Sequence, residues 1–367
     1  MQQYWNDSSL MFKIMAIVSN LDARLTIMKN IHLIIPDLFL PKEIAGKVCK
    51  DLQIPALERL LARGNEIDSV HSRISNYSLE SALCAAFDMA APAEVQIGGV
   101  SAAFDQLGEG YWLRCDPVQL SMQNDLLLLQ EVEPSHEEAA GICKSMNDYF
   151  LGDGMEFFAP HPKRWYVRST LSRRIHTTPL PAVLGSNVHG IMPEGEDATR
   201  WHSLLNEIQM LLYSHPVNEA REARGELPVN SVWLWGGGDY VNTLPKHYDH
   251  VISDDVLPEM LAATSGARFA AWPALWSDFP SDDHQLLVWT QLRSALQVED
   301  LNAWRNALQD FEENIAKPLF DELRTGKIKS LRIEITDGGN ALHKTLSRPA
   351  SLAFWRLTKP LASYSIV

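Results

Sequence analysis

The chain has 367 residues and a mass of 41.3 kDa, which at about 150 residues per domain points to two domains. Its 46% apolar and 21% charged residues are a globular composition and exclude a disordered chain. With 32 Lys and Arg against 46 Asp and Glu, the net charge of −14 excludes general binding to nucleic acid or anionic lipid, though not a local basic pocket.

Residues 1–28 differ in character from the rest of the chain. Their most apolar tract, Leu10 to Val18, is interrupted by Lys13 and is shorter than the about 20 apolar residues of a spanning helix. Asp7 and the lack of a basic start before the tract argue against a secretory signal. A strong strand, Ile31-His32-Leu33-Ile34-Ile35, begins just after Met28, so Met28 makes a natural start and the upstream stretch reads as an extension. The strand ends in Pro36-Asp37. Next comes a Leu-rich helix, with Pro55 suited to its first turn and Gly64 to its C-terminal cap. Strand, acidic strand end, then helix is how an α/β layer begins.

The middle of the chain has a different rhythm. Tyr111 to Leu120 and Asp125 to Gln130 predict a hairpin around Ser121-Met122-Gln123-Asn124. Ser135-His136-Glu137-Glu138 is a capping box opening a helix through Phe150. Glu156 to Ala159 and Arg164 to Thr170 read as strands, and Trp201, Leu204, Leu205, Ile208, Leu211 and Leu212 share one helical face. The α/β style returns at Ser231-Val232-Trp233-Leu234-Trp235-Gly236-Gly237-Gly238, with later strands at Ala267 to Trp272, Gln285 to Leu292 and Ser330 to Thr336. A helix capped by Asp300 runs toward Pro318, which should kink or end it. The pattern gives one α/β domain (29–105 and 231–367) interrupted by an inserted α+β domain (106–230). The four cysteines, Cys49, Cys84, Cys115 and Cys143, fit no zinc spacing and read as reduced thiols of a cytoplasmic protein.

Several motifs invite a chemical reading and a plainer one. His247-Tyr248-Asp249-His250 offers two His at i and i+3, yet a solvated loop explains it as well. Gly236-Gly237-Gly238 lacks the Lys-Ser/Thr of a Walker loop and the spacing of a dinucleotide fingerprint, and reads as a close backbone approach. No Gly-x-Ser-x-Gly elbow is present, and the eleven tryptophans fall mostly on apolar faces. Asn218, Arg221, Arg224 and Asn230 cluster on a short helix and loop at the domain return, where a solvated helix end is the competing reading.

The run His215-Pro216-Val217-Asn218, then Arg221, Gly225 and Pro228-Val229-Asn230, then a strand ending in glycines, resembles the archaeal-type cofactor-independent phosphoglycerate mutases of the alkaline phosphatase superfamily. Trp112-Leu113-Arg114-Cys115-Asp116 is similar to the F-R-C-N strand of their inserted domain, and Ile34-Ile35-Pro36-Asp37 to the strand carrying their first metal-binding Asp. The resemblance runs over most of residues 29–340 and is most specific at 215–238. It is closer still to a bacterial subgroup, the regulatory proteins of the RpfE type, through Trp233-Leu234-Trp235-Gly236 and Phe354-Trp355-Arg356.

The resemblance implies a three-layer α/β sandwich of the alkaline phosphatase type with an inserted α+β domain. It also implies two divalent metals flanking a nucleophilic hydroxyl, which they would activate. Asp37 and Asp337 stand at metal-ligand positions and Ser78 at the nucleophile, while Gly338 replaces the His beside Asp337 and His343 offers a substitute ligand. The D-x-x-G-H ligand set due after the strand Gln285 to Leu292 is missing, and Arg293-Ser294-Ala295-Leu296-Gln297 stands there instead. Trp235 replaces a phosphate-binding Arg. Arg114, Asn218, Arg221 and Arg224 are the implied substrate-binding residues on the insert side of an interdomain cleft. For Asp37 and Asp337 the plainer reading is a capped turn.

These residues predict a catalytically eroded phosphoglycerate-mutase-like protein with a regulatory or ligand-binding role. The alternatives are an active metal-dependent phosphomutase or phosphatase with a rearranged site, and an interaction scaffold whose cleft is filled by tryptophans. The expected cofactor complement is none, or at most one weakly bound Mg or Mn ion. The expected partner is a small anionic ligand or a protein, and neither nucleic acid nor membrane. A chain beginning at Met28 is expected to be soluble with an unchanged melting temperature, and a drop of several degrees would show that residues 1–28 pack into the fold.

Overall fold

The computed structural model describes residues 29–67, 77–89, 95–170, 175–185, 187–337 and 341–364. The expectation for residues 1–28 lies outside them. Strand β1 (Lys29–Pro36) leads to helices α1 (Lys42–Val48) and α2 (Pro55–Arg63), the short β2 (Asn65–Glu66), and helices α3 (Leu79–Ala86) and α4 (Gly98–Phe104). Next come β3 (Tyr111–Gln123), β4 (Leu126–Glu131), α5 (His136–Tyr149), β5 (Met155–His161), β6 (Arg164–Ser169), α6 (Ala198–Tyr213), α7 (Pro216–Ala223) and β7 (Ser231–Asp239). The chain continues through β8 (His250–Ser253), α8 (Val256–Ser265), β9 (Arg268–Ala271), β10 (His284–Val288) and α9 (Gln291–Gln297). It closes with α10 (Leu301–Phe311), α11 (Lys317–Thr325), β11 (Ile328–Thr336), β12 (Ala341–Ser347) and α12 (Arg348–Ser351).

A seven-stranded sheet in the order β2-β12-β11-β1-β10-β8-β9 forms the central layer. β1 lies in its middle, parallel to β10 and β11. It is buried on both faces, which explains its unbroken apolar run. Ile31, Leu33 and Ile35 face a core shared with α2, α10 and α11, and Ile34 faces one shared with α3, α4 and α8. Helices on both faces make the three-layer sandwich.

The second sheet has five strands, β4-β3-β6-β5 with β7 added on β3. The β3–β4 hairpin turns at Asn124-Asp125, both at positive φ, one residue later than the pattern suggested. Its helices α5 and α6 cover one face through Ile142, Met146, Trp201 and Ile208. The glycine-rich strand corrects the expected boundary. Residues 231–239 pair antiparallel with Tyr111–Val118 and belong to the second sheet, and the chain rejoins the large sheet only at β8. Val232 and Leu234 face α5 and α6, while Trp233 and Trp235 face the layer around α3, α4 and α8. Being apolar on both faces, this strand looks like a core strand in sequence.

Close backbone approach joins the two units. A Cβ at Gly99, in the first turn of α4, would lie 1.8 Å from the Asp239 carbonyl oxygen. Gly236 has φ +67 beside the register shift between Trp112 and Arg114, a conformation that L side chains avoid. The cysteines are unpaired, and burial pushes the Cys84 and Cys143 thiols up to about 12, which leaves them inert.

The predicted break at Pro318 takes the form of a π turn, Glu312–Ala316, between α10 and α11. Pro318 then follows directly as the second residue of α11, and the wider π turn before it accommodates its missing N–H. The turn carries the fully buried Glu312 to the start of α2, where its carboxylate accepts the N–H groups of Ala56 (2.8 Å) and Leu57 (3.0 Å). Ile54, the N-cap residue, supplies no side-chain bond, so the cap comes from 256 positions away. Glu312→Ala should cost about 1–3 kcal/mol of folding free energy, measured by urea denaturation. An unchanged midpoint would show that water replaces the cap.

Candidate functional site

The carboxyl ends of β1, β8, β10 and β11 meet at one edge of the large sheet, where open α/β sheets place their ligands. Asp37 is the first residue beyond β1. It adopts φ +57, its N–H donates to the Thr336 carbonyl at 2.7 Å, and its own carbonyl accepts from Trp304 Nε1 at 3.1 Å. These bonds fix the side chain toward α9. There Arg293 Nε donates to Asp37 Oδ2 at 3.2 Å, and Arg293 Nη1 donates to Glu80 Oε1 at 2.7 Å. Glu80 sits in the first turn of α3, only 2% exposed, and its second oxygen has no hydrogen-bond partner among the described residues.

Asp255 lies just beyond the end of β8. It caps α8 by accepting from Leu257 N at 2.8 Å, and its carboxyl feels both Arg293 and Glu80. Its neighbour Asp254 accepts from the Thr290 N–H and hydroxyl. Burial pushes the Asp37 carboxyl up, against the pull of Arg293 and with smaller pushes from Glu80 and Asp337. Burial likewise raises Asp255, and the surrounding carboxylates hold the Arg293 guanidinium charged in spite of its burial. Asp37 and Asp337 therefore share this edge. Ser78 lies beside it as the N-cap of α3, its hydroxyl accepting from Ser81 N at 3.3 Å.

His343 stands elsewhere. It pairs with Glu334 across β11 and β12, two residue pairs before the rung formed by Thr336. Glu334 is 1% exposed and gathers several donors: His32 Nε2 (3.0 Å), Arg332 (3.0 Å) and the Tyr77 hydroxyl (2.9 Å), with His343 Nδ1 at 3.5 Å. The other His32 nitrogen meets the Tyr248 hydroxyl at 2.9 Å. This network lies within the sheet face, away from the edge that carries Asp37.

The four residues implied to bind substrate are also separated. Arg114, on β3, faces the core side of the second sheet. It is bonded to Asp116 through Nε (3.1 Å) and Nη2 (2.8 Å), and lies over Trp235 at 5.1 Å and Tyr166 at 5.5 Å. Trp235 donates its indole N–H to Asp116 at 2.7 Å, so it completes this buried ion pair. Trp235, over which Arg114 lies, packs into the core around α3, α4 and α8, which places Arg114 on the interdomain side.

Asn218, Arg221 and Arg224 lie on the opposite, helical side of that sheet, which corrects their expected place in the cleft. The Asn218 amide donates to Leu212 O and Val229 O and accepts from Val229 N. Arg221 donates to Leu227 O and Glu138, and Arg224 to Glu138 and Glu226. The H-P-V-N…R…G…P-V-N run thus folds a chain corner back onto the capping box of α5. His247 and His250 bind separate carboxylates, Asp88 and Asp282, and do not form a pair. Among the described residues, no three His, Cys, Asp or Glu side chains stand together at metal-ligand spacing.

The sequence alone pointed neither to Glu80 nor to the role of Arg293. The one available signal for Glu80 was an acidic residue inside the apolar run Leu79 to Ala86.

The Glu334 network sets a pH dependence. Burial opposes ionisation of Glu334, but its bonds from His32 and His343 hold the carboxyl well below the usual range. Its stabilising contribution is present above the unfolded value of about 4.3 and is lost as pH falls through the folded value. Burial lowers His32, so its contribution is present above about 6.5 and is lost on acidification below it. Folding stability should therefore decline from pH 7 to pH 3. Glu334→Gln should lose about 1.5–3 kcal/mol at pH 7 and show a shallower acid decline, while parallel pH profiles would count against this assignment.

No protein-family model matches the chain. It is 24% identical over 153 residues to the 2,3-bisphosphoglycerate-independent phosphoglycerate mutase of Methanosarcina barkeri, covering 40% of this chain and 36% of that protein. It is 36% identical over 113 residues to the enzyme of the same name from Methanothrix thermoacetophila, covering 31% and 28%. The chain thus spans about a third of the length of these curated relatives. A solved protein from Pyrococcus horikoshii superposes with a TM-score of 0.53 at 11% identity, covering 92% of this chain and 93% of that one. The cofactor-independent phosphoglycerate mutase of Thermoplasma acidophilum gives a TM-score of 0.44 at 13% identity, covering 92% and 96%. The chain therefore has the alkaline-phosphatase-like α/β fold, and its relatives in sequence are cofactor-independent phosphoglycerate mutases.

Proposed function

We propose that this chain is a phosphoglycerate-mutase-like protein that has lost phosphoryl transfer and acts by binding, in a regulatory role like that of the RpfE-type proteins. The carrying observation is the commitment of Asp37 to Arg293, whose other arm is held by Glu80. A two-metal centre needs its carboxylates free and its coordination positions open. The residues present do not fit one: the family's late Asp and His ligands are missing, and a guanidinium lies against the first Asp. A guanidinium supplies charge but has no coordination site at which to lower a hydroxyl pKa. Ser78 meanwhile accepts a bond as a helix cap, and an unactivated hydroxyl is a poor nucleophile.

Binding of at most one Mg or Mn ion, held weakly, belongs to this reading. So does a cytoplasmic location, supported by the unpaired thiols. Among the described residues no helix is long and apolar enough to cross a membrane. A protein partner is favoured over a small anion. Phe354, Trp355 and Leu357 stand exposed beside Arg356, and aromatic and Arg side chains carry most protein interfaces. Arg114, the remaining cleft cation of the expected anion site, is already paired with Asp116.

The test is elemental analysis after loading with Mg²⁺ or Mn²⁺, followed by assays with 3-phosphoglycerate and a generic phosphate ester. Less than one tightly bound ion per chain and no turnover are expected. Two tightly bound ions, or turnover abolished by Ser78→Ala, would establish the active alternative.

A further inference from the structure

Beyond α12 the chain runs from Leu352 to Pro360 with no helix or strand. This segment is tied down along its length. Ala353 is buried, Arg356 Nη1 donates to the Arg63 carbonyl at 2.8 Å, and the Leu361 N–H donates to Glu58 on α2 at 3.1 Å. Between the ties, Phe354, Trp355 and Leu357 are 78%, 68% and 83% exposed, and the two rings meet edge to face at 5.3 Å. A fixed segment that holds large apolar side chains in water marks a binding surface. Its flank is basic. Arg63 and Arg324 lie over the same Phe320 ring, at 5.5 Å and 6.0 Å. Arg348 Nε donates to the Arg324 carbonyl at 3.1 Å, and Arg63 donates to the Ser351 carbonyl. These contacts join Arg63, Arg324, Arg348 and Arg356 into one group. Arg324 has a carboxylate nearby, Asp321 at 3.6 Å. The other three bond backbone carbonyls, and among the described residues none of them is in an ion pair. A carbonyl takes a donor from a guanidinium and leaves its charge unmatched. Burial lowers the Arg63 pKa, and the nearby Arg59 and Arg324 add to the fall.

We infer that this surface docks an acidic polypeptide segment that carries large apolar side chains. This deepens the proposed binding role and rests on it, since it names the chemistry of the partner. Phe354, Trp355 and Leu357 supply the apolar half of the contact, and a segment already held in place loses little freedom on binding. Arg356 stands between Trp355 and Leu357, so whatever covers the apolar side chains also meets a guanidinium. A neutral partner would bury that charge unpaired, at a cost. A carboxylate takes the guanidinium fork in two parallel bonds. The charge of the whole chain selects among anions. Nucleic acid or an acidic bilayer extends over many Debye lengths of about 8 Å, and so meets the repulsion of the net charge of −14. A short acidic segment meets only the local positive field. A second copy of the chain brings its own charge of −14 and is repelled in the same way.

The test uses the full-length protein and a short fluorescein-labelled peptide of alternating Glu and Phe, followed by fluorescence anisotropy. Wild type should bind it saturably. Matched peptides with Lys for Glu, or Ser for Phe, should bind about tenfold more weakly or worse. Phe354→Ala combined with Trp355→Ala should weaken binding by about tenfold or more at an unchanged melting temperature, since both side chains are exposed. Arg348→Glu combined with Arg356→Glu should reverse the preference and take the Lys peptide. If that variant melts below wild type, Arg348→Gln with Arg356→Gln decides instead, by losing affinity for the Glu peptide. No binding by wild type, equal binding of the Glu and Lys peptides, or binding indifferent to the Phe354 and Trp355 changes would each overturn the inference. Patch-dependent binding of phosphatidylserine vesicles or single-stranded DNA in preference to the peptide would overturn it in favour of a membrane or nucleic-acid surface. Patch-dependent dimerisation in sedimentation equilibrium would assign the surface to a second copy, and peptide binding seen only in a chain beginning at Met28 would assign it to residues 1–28. Turnover of 3-phosphoglycerate would overturn the proposed function and leave the peptide result standing, so the two failures are distinguishable.

Discussion

The ion pair between Arg293 and the carboxylates of Asp37 and Glu80 is the constraint on which the sheet edge depends. It joins the end of the central strand to helices on either side of the large sheet. Asp37 adopts a left-handed backbone conformation to take part, and bonds to Thr336 and Trp304 hold it there. Breaking a buried ion pair from one side leaves the other charge stranded, so the cluster is all-or-none in its energetics. Around it, Ser78 and Asp255 each cap a helix, so the edge is held by charge pairing and capping together.

A second buried ion pair, Arg114 with Asp116, plays the corresponding part in the inserted sheet. Asp116 accepts from Arg114, from the Trp235 indole and from the Trp165 backbone, so its charge is matched by donors on three strands. Burial raises the Asp116 carboxyl, and these donors counter the rise. Trp235 thereby feeds the carboxylate and offers its ring to the Arg114 guanidinium. With Trp233 it packs into the core beneath α3, α4 and α8, so the strand that reads as the start of a domain is the joint between two.

The Glu334 network, in the large sheet, shows how far a residue's neighbours can depart from its position in sequence. His343 is six residues beyond Asp337, yet its partner is Glu334, because β11 and β12 are antiparallel and the hairpin turns it back. Asn218, Arg221 and Arg224 stay together, as their spacing implies, but stand apart from Arg114. A helix face and a strand face on opposite sides of a sheet have no signature that distinguishes them in the chain alone.

Periodicity and capping chemistry determined the local elements of this protein. The apolar run of β1, the capping box at Ser135, the helical face from Trp201 to Leu212 and the Asp300 cap arise from nearest-neighbour physics, and the structure has them where the residues imply. Only the tertiary structure decided that β7 joins the second sheet, that Glu312 caps a helix 256 residues away, and that Arg293 ties Asp37 to Glu80. Those outcomes depend on burial and charge compensation between segments hundreds of residues apart, and such energies exist only once the layers have packed.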